Sequence, residues 1–108
     1  MPPIKYDIVY LPSAEADLGE ILTYIAVDLA APSAAHRLLD KIEQSVAGLA
    51  AFPFAHALYP THVATAPLEF RALFVGSYIV LYYVSDATVT IARIVYGGRD
   101  VQEILRHL

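Results

Sequence analysis

The residues best placed to do chemistry are the arginines and tyrosines of the C-terminal third. Residues 68–108 hold four arginines, Arg71, Arg93, Arg99 and Arg106, and four carboxylates. A guanidinium set among apolar neighbours calls for a carboxylate, a carbonyl or a phosphate. Strand alternation groups Arg71 with Leu73 and Val75, and Arg93 with Ile91 and Val95. Glu69, Asp86 or Asp100 are the internal partners within reach in sequence. Tyr78, Tyr82 and Tyr83 fall on one strand and Tyr96 on the next, with Tyr78 and Tyr82 on one face and Tyr83 on the other. Such aromatics fill a core, stack bases or anchor a partner.

Other chemistry is poorly supplied. His56 and His62 share a loop with no nearby acid, and zinc needs three or four converging ligands, so no metal site is expected. His36 and His107 read as solvent-facing. Gly97-Gly98 is too short to cradle a phosphate, no nucleophile elbow is present, and no cofactor is expected. The absence of cysteine excludes disulfides, thiolate metal ligands and a cysteine nucleophile.

The chain has 108 residues, 57% of them apolar and 17% charged, with a mean hydropathy of +0.52. One domain, residues 1–108, is expected at this length. A domain of about 100 residues buries roughly two-thirds of its unfolded surface, so this much apolar side chain predicts an exposed patch and a protein partner. The net charge is −4, all of it from residues 1–67, which carry three Lys/Arg and seven Asp/Glu. Tight non-specific nucleic-acid binding is not expected from that balance. The longest run free of charged residues, Gln44 to Leu68, contains Pro53, Pro60 and Pro67 and is no membrane span. With no apolar leader at the N-terminus, a cytoplasmic location is expected.

The elements that position these residues follow from periodicity. Ile4 to Leu11 reads as a buried strand, with Ile8 and Tyr10 opposite Val9 and Leu11. Ser13 is a suitable helix cap, Glu15 and Asp17 suit the positive end of the helix dipole, and Leu18, Ile21, Leu22, Ile25 and Leu29 predict a helix over 14–29. After Ala31-Pro32, Ser33 can cap a second helix through Leu38, Leu39, Ile42, Val46 and Leu49, ending near residue 51 before Pro53. Residues 53–67 read as an irregular loop. Strands are predicted at 68–75, 78–84 and 88–96, with a two-residue Gly76-Ser77 turn and a Ser85-Asp86-Ala87 turn. A short helix from Asp100 to Leu108 closes the chain. The order β-α-α-β-β-β-α predicts an α+β domain in which a helical hairpin covers a mainly antiparallel four-stranded sheet.

Taken in order, Ala14-Glu15-Ala16-Asp17-Leu18-Gly19-Glu20-Ile21, Phe52-Pro53, Phe70-Arg71-Ala72-Leu73-Phe74, Tyr78-Ile79-Val80-Leu81-Tyr82 and Ile94-Val95-Tyr96-Gly97-Gly98-Arg99 resemble the RelE/ParE toxin superfamily of type II toxin–antitoxin systems. The resemblance spans about Ile8 to Leu105. RelE-like members cleave mRNA on the ribosome, and ParE-like members inhibit DNA gyrase. RelE-like toxins commonly carry an arginine in the Tyr-Arg-aliphatic-aliphatic-Tyr strand; here Ile79 stands in its place and cannot bind a phosphate oxygen. No lysine follows Lys41. The resemblance therefore implies the ParE-like branch: a plasmid-stabilisation toxin that acts by binding, with DNA gyrase as target and no membrane partner. A cognate antitoxin would neutralise it, and contact with DNA would be only through that antitoxin.

On this reading Arg99, Asp100 and Arg106 are the target-binding candidates. Leu18, Ile21, Leu22, Ile25, Leu38, Ile42, Tyr78 and Tyr83 are the antitoxin-binding ones. Arg71, Arg99 and His107 are the only candidates for catalysis. The alternatives are a ribosome-dependent endoribonuclease with relocated residues, and a non-toxic module that binds antitoxin alone.

Overall fold

The computed structural model describes residues 5–59 and 69–107. Strand β1 (Asp7–Tyr10) leads into helix α1 (Pro12–Thr23), which widens at its end into a π-helical turn (Tyr24–Asp28). Helix α2 (Pro32–Ala47) returns and tightens into a 3-10 turn (Gly48–Ala50). Strands β2 (Arg71–Val75), β3 (Tyr78–Ser85) and β4 (Thr88–Tyr96) follow, then helix α3 (Val101–Arg106). The sheet order is β1-β4-β3-β2: β2, β3 and β4 form an antiparallel meander, and β1 pairs parallel to β4. The α+β architecture expected from the sequence is the one observed, with a mixed sheet that is mainly antiparallel.

Both meander turns are two residues long and need a positive φ at their first position. Gly76 (φ 57°) supplies it between β2 and β3, and Asp86 (φ 55°) between β3 and β4. Asp is among the few side chains that visit this region routinely. Strands β3 and β4, rich in Val, Ile and Tyr, are buried on both faces along most of their length. On one face Ala14, Ile42, Val46 and Leu49 of the helical layer pack on Leu73, Val75, Val80, Tyr82, Val89, Ile91 and Ile94. On the other, Val101, Ile104 and Leu105 of α3 cover Ala72, Ile79, Leu81, Ala92 and Val95 together with Phe70. Each fully buried aliphatic side chain here is worth about 1.5–3 kcal/mol, so six residues of α3 suffice to close the second face.

Several local expectations change. Neither Ser13 nor Ser33 caps a helix: the cap positions are Leu11 and Ala31, and Pro12 and Pro32 occupy the first helical turn, where a missing N–H costs nothing. The first helix stops being α-helical at Thr23, and its end is held by Leu29 N–H to Tyr24 O at 3.0 Å, with Ala30 at φ 50°. Strand β1 is an edge strand rather than a buried one, with Asp7 and Val9 exposed and Ile8 and Tyr10 half-buried. Strand β2 begins at Arg71; ahead of it Tyr59 N–H bonds Phe70 O, and Ala72 N–H bonds Ala57 O, so the segment around Leu58 covers that edge. Asp100 caps α3 rather than opening it, accepting from Glu103 N–H at 3.2 Å. Ile4, Pro60, His62, Pro67, Leu68 and Leu108 lie outside the described residues. No described helix is long and apolar enough to cross a membrane.

Candidate functional site

The strongest polar feature is a clasp between α1 and β4. Pairing with β1 ends at Tyr10↔Ile91, where the chain turns into α1. From there α1 takes over the edge of β4 with side chains one turn apart. Ser13 Oγ donates to Ala92 O at 2.8 Å, and Asp17 Oδ2 accepts from Ile94 N–H at 2.9 Å. The Arg93 guanidinium closes on the same carboxylate, Nε to Oδ2 at 2.7 Å and Nη2 to Oδ1 at 2.9 Å. Hydrogen bonding to Asp17 pushes the Arg93 pKa further up, against the opposing effect of burial. The sheet register shifts here: Leu81 pairs with Arg93 but Tyr82 with Ile91, which leaves Ala92 as an extra residue. That bulge breaks the expected grouping of Arg93 with both Ile91 and Val95, because Ile91 joins the hairpin-face core and Val95 the opposite one. The partner of Arg93 is thus Asp17, not Glu69, Asp86 or Asp100. Asp17 was legible as an anomaly, an acid within the stripe of Ala14, Leu18 and Ile21.

Arg71, unlike Arg93, has no carboxylate partner among the described residues. Its Nη1 donates to His56 O at 2.8 Å, and the guanidinium carbon sits 5.0 Å from the centre of the Phe54 ring. Phe54 also meets Tyr6 edge-on at 6.2 Å. Tyr82, fully buried, donates to Pro53 O at 2.9 Å, and burial raises its pKa above 10.0. Arg71 and Tyr82 together pin residues 53–56 to the sheet; Phe54 escaped the sequence reading because only its distant strand neighbour gives it a role.

The remaining candidates sit at the opposite end of β2. Gly97 N–H bonds Ser77 O, placing the Gly97-Gly98 corner beside the β2–β3 turn. Arg99 follows on an exposed corner, with no ion pair among the described residues. Arg106 Nη1 lies 3.5 Å from Glu103 Oε2, and His107 Nε2 lies 3.0 Å from Glu103 Oε1, all exposed. Arg71 stands five residues from Gly76 of that turn, about 17 Å along the strand, on the hairpin face, whereas α3, which bears Arg106, packs on the other. Arg71, Arg99 and His107 therefore do not converge on one reacting atom. Ile79 is 5% exposed and packed in the second-face core.

The hairpin candidates divide by burial. Ile42 is fully buried, so its side chain supports the surface rather than forming it. Leu18, Ile21 and Leu38 are half-buried against the same core, and Leu22 and Ile25 are half-buried towards the hairpin tip. Tyr78 meets Tyr96 edge-on at 5.9 Å, and Tyr83 meets Phe70 at 5.7 Å on the second face, so these two tyrosines do not share a surface. Among the described residues, six of the nine exposed large apolar side chains fall in two segments, Tyr24, Val27 and Leu29 at the tip and Phe52, Phe54 and Leu58 after α2; Val9, Phe74 and Tyr96 are the others. At the tip, α1, the π-helical turn and α2 line an open, mostly apolar groove of about 340 Å³ between Leu22, Ala26, Val27, Ala35 and Leu39, with Thr23 and His36 as polar neighbours. No group of three or more metal-ligating side chains exists among the described residues.

Comparison with known proteins adds to this geometry. A family model, the ParE toxin of the type II toxin–antitoxin system parDE, matches residues 8–101. Among solved structures the chain is similar to one of the chromosomal ParDE toxin–antitoxin system from P. aeruginosa. The TM-score is 0.69 over 85% of this chain and 96% of that one, at 22% identity, a likeness that shows the shared fold. No curated protein matches in sequence.

Proposed function

The chain belongs to the ParE toxin family and is the toxin component of a type II toxin–antitoxin module, and from that premise we propose that it acts by binding DNA gyrase and is neutralised by a cognate antitoxin. The observation that carries the choice of a binding mode over mRNA cleavage is the place of Ile79. At the strand position where RelE-like toxins commonly hold an arginine, this chain has an isoleucine sealed into the core beneath α3. Cleavage by a 2′-hydroxyl needs a proton acceptor, a donor for the leaving oxygen and cations on the phosphate, held together. The separation of Arg71, Arg99 and His107 supports the same choice.

The target contact we assign to the exposed corner after β4. Arg99 offers an exposed cation with no ion pair among the described residues, and its backbone N–H bonds Tyr96 O at 3.0 Å. Asp100 holds α3 in place below it through its cap, and Arg106 extends the charged rim. The antitoxin we assign to the helical hairpin, where Leu22 and Ile25 lie next to the exposed Val27 and Leu29.

Purified chain added to gyrase with relaxed plasmid tests the reading. Loss of supercoiling at stoichiometric toxin, restored by antitoxin, is the expected result. Full supercoiling at a large excess of folded toxin contradicts it.

A further inference from the structure

The hairpin that the toxin–antitoxin reading assigns to the antitoxin has a charge pattern that specifies what covers it. Three depressions open on its surface. The interhelical groove at the tip is mostly apolar, with Thr23 and His36 as its polar lining residues. Thr23 also borders a shallow hollow on the outer side of α1, floored by Ala16 and Gly19 and flanked by Glu20 and Asp28. A third depression, between β1 and the hairpin, carries Glu15 and Glu43. No lysine or arginine lines any of the three. Residues 12–47 carry six carboxylates against two cations, and among the described residues only Asp17 has an ion-pair partner in this segment.

Resting on that reading, we propose that the antitoxin segment seated on the hairpin tip is cationic. It presents an aliphatic side chain to the Leu22–Val27–Leu39 groove and a lysine or arginine to Glu20 and Asp28. The two sites are contiguous through Thr23, so one short segment reaches both. Apolar burial supplies the anchor, as when an amphipathic element lies in a groove. Glu20 and Asp28, neither in an ion pair among the described residues although Glu20 lies within coulombic reach of Arg93, supply orientation and steering, and they penalise an acidic segment. The absent Cβ of Gly19, with nothing within 4 Å of where it would stand, leaves the α1 backbone open to close approach. The widened turn Tyr24–Asp28 brings Asp28 to the same hollow as Glu20, eight residues earlier; π-turns of this kind are frequent at functional sites.

The test uses the full chain and the antitoxin recovered as the reading frame that restores growth when co-expressed with it. Binding is titrated at 50 and 300 mM NaCl for wild type, E20K/D28K and V27E. These three residues are exposed, so the variants are expected to keep the wild-type Tm. Wild type is expected to bind at least ten-fold more tightly at low salt. E20K/D28K is expected to lose at least ten-fold in affinity at 50 mM together with the salt dependence, and V27E to lose affinity at both. Reversing the lysines or arginines of the antitoxin segment to glutamate is expected to restore binding to E20K/D28K. Unchanged affinity in folded variants, with wild type still bound, overturns the cationic occupant and leaves the toxin–antitoxin reading standing. Loss of toxicity with antitoxin affinity intact gives the face to the target, and loss of a wild-type dimer gives it to a second copy; either overturns the proposal. Failure of every reading frame to restore growth overturns the toxin–antitoxin reading and the proposal with it.

Discussion

Asp17 of α1 and Arg93 of β4, 76 residues apart, share two hydrogen bonds of 2.7 and 2.9 Å, and the same carboxylate accepts the Ile94 amide at 2.9 Å. The relationship explains how a helix docks on a sheet edge. Where β1 ends, Asp17 and Ser13 supply side-chain acceptor and donor groups that the next strand residues would have supplied. An unpaired amide and guanidinium are thereby avoided.

Replacing Asp17 by Ala strands both the Ile94 N–H and Arg93. Breaking a buried pair costs about 3–5 kcal/mol, and the Arg93 side chain is 21% exposed, so a loss of about 3 kcal/mol is expected in urea denaturation. D17A/R93A should recover part of it, and a double-mutant cycle should give a coupling well above 0.5 kcal/mol. Strictly additive losses would mean that the clasp is incidental.

Tyr82 gives the fold an alkaline limit. Its pKa is raised above 10.0 by burial, so the folded chain holds the phenol proton more tightly than the unfolded one. The corresponding stability is fully present below pH 10 and falls as the pH climbs from 10 through the raised value. Tyr82→Phe should cost about 1 kcal/mol at pH 7, for the lost bond to Pro53 O. It should also flatten the decline between pH 9.5 and 11 relative to wild type. Parallel pH profiles for the two proteins would contradict this.

Ile79→Arg restores the residue that RelE-like toxins commonly carry at this point, but the site is buried in the core beneath α3. The side chain is 5% exposed, and the chain passes close by, since a Cβ added at Gly97 would fall 3.7 Å from the Ile79 side chain. A guanidinium without partners there is expected to cost several kcal/mol. The measured outcome should be a lower Tm and no gain of mRNA cleavage in a translating extract. A stable, cleaving variant would show that the site is latent.

Arg99→Ala tests the proposed target surface. Arg99 is exposed and makes no ion pair among the described residues, so the change should leave Tm within about 0.5 kcal/mol equivalent of wild type. Growth inhibition is expected to weaken at least ten-fold in inducer dose while antitoxin binding holds. Toxicity at the wild-type level would remove Arg99 from the contact.

The element order was readable in the sequence because each segment repeats its own period: apolar stripes at 3.6 in the hairpin, Val/Ile/Tyr runs in β3 and β4, and Gly76 at the turn. What was not readable depends on contacts between distant segments. Ser13 looks like a cap, yet the helix starts two residues earlier than expected, at Pro12, and frees the Ser13 hydroxyl for β4. The Ala92 bulge carries no sequence mark, and it moves Ile91 and Val95 to opposite faces. Ile42 shows the same limit: the stripe identifies it as apolar, while only the packed sheet makes it fully buried. For the candidate site, Arg99 and Ile79 were legible as residue types in a strand context, whereas Asp17 and Phe54 acquire their roles only from β4 and β2.

The most direct test of gyrase-directed binding is pulse labelling of DNA and protein synthesis in parallel, minutes after the chain is induced without antitoxin. DNA synthesis should fall first, with protein synthesis following later. An initial fall in protein synthesis with DNA synthesis intact would contradict the proposal and direct attention to mRNA on the ribosome.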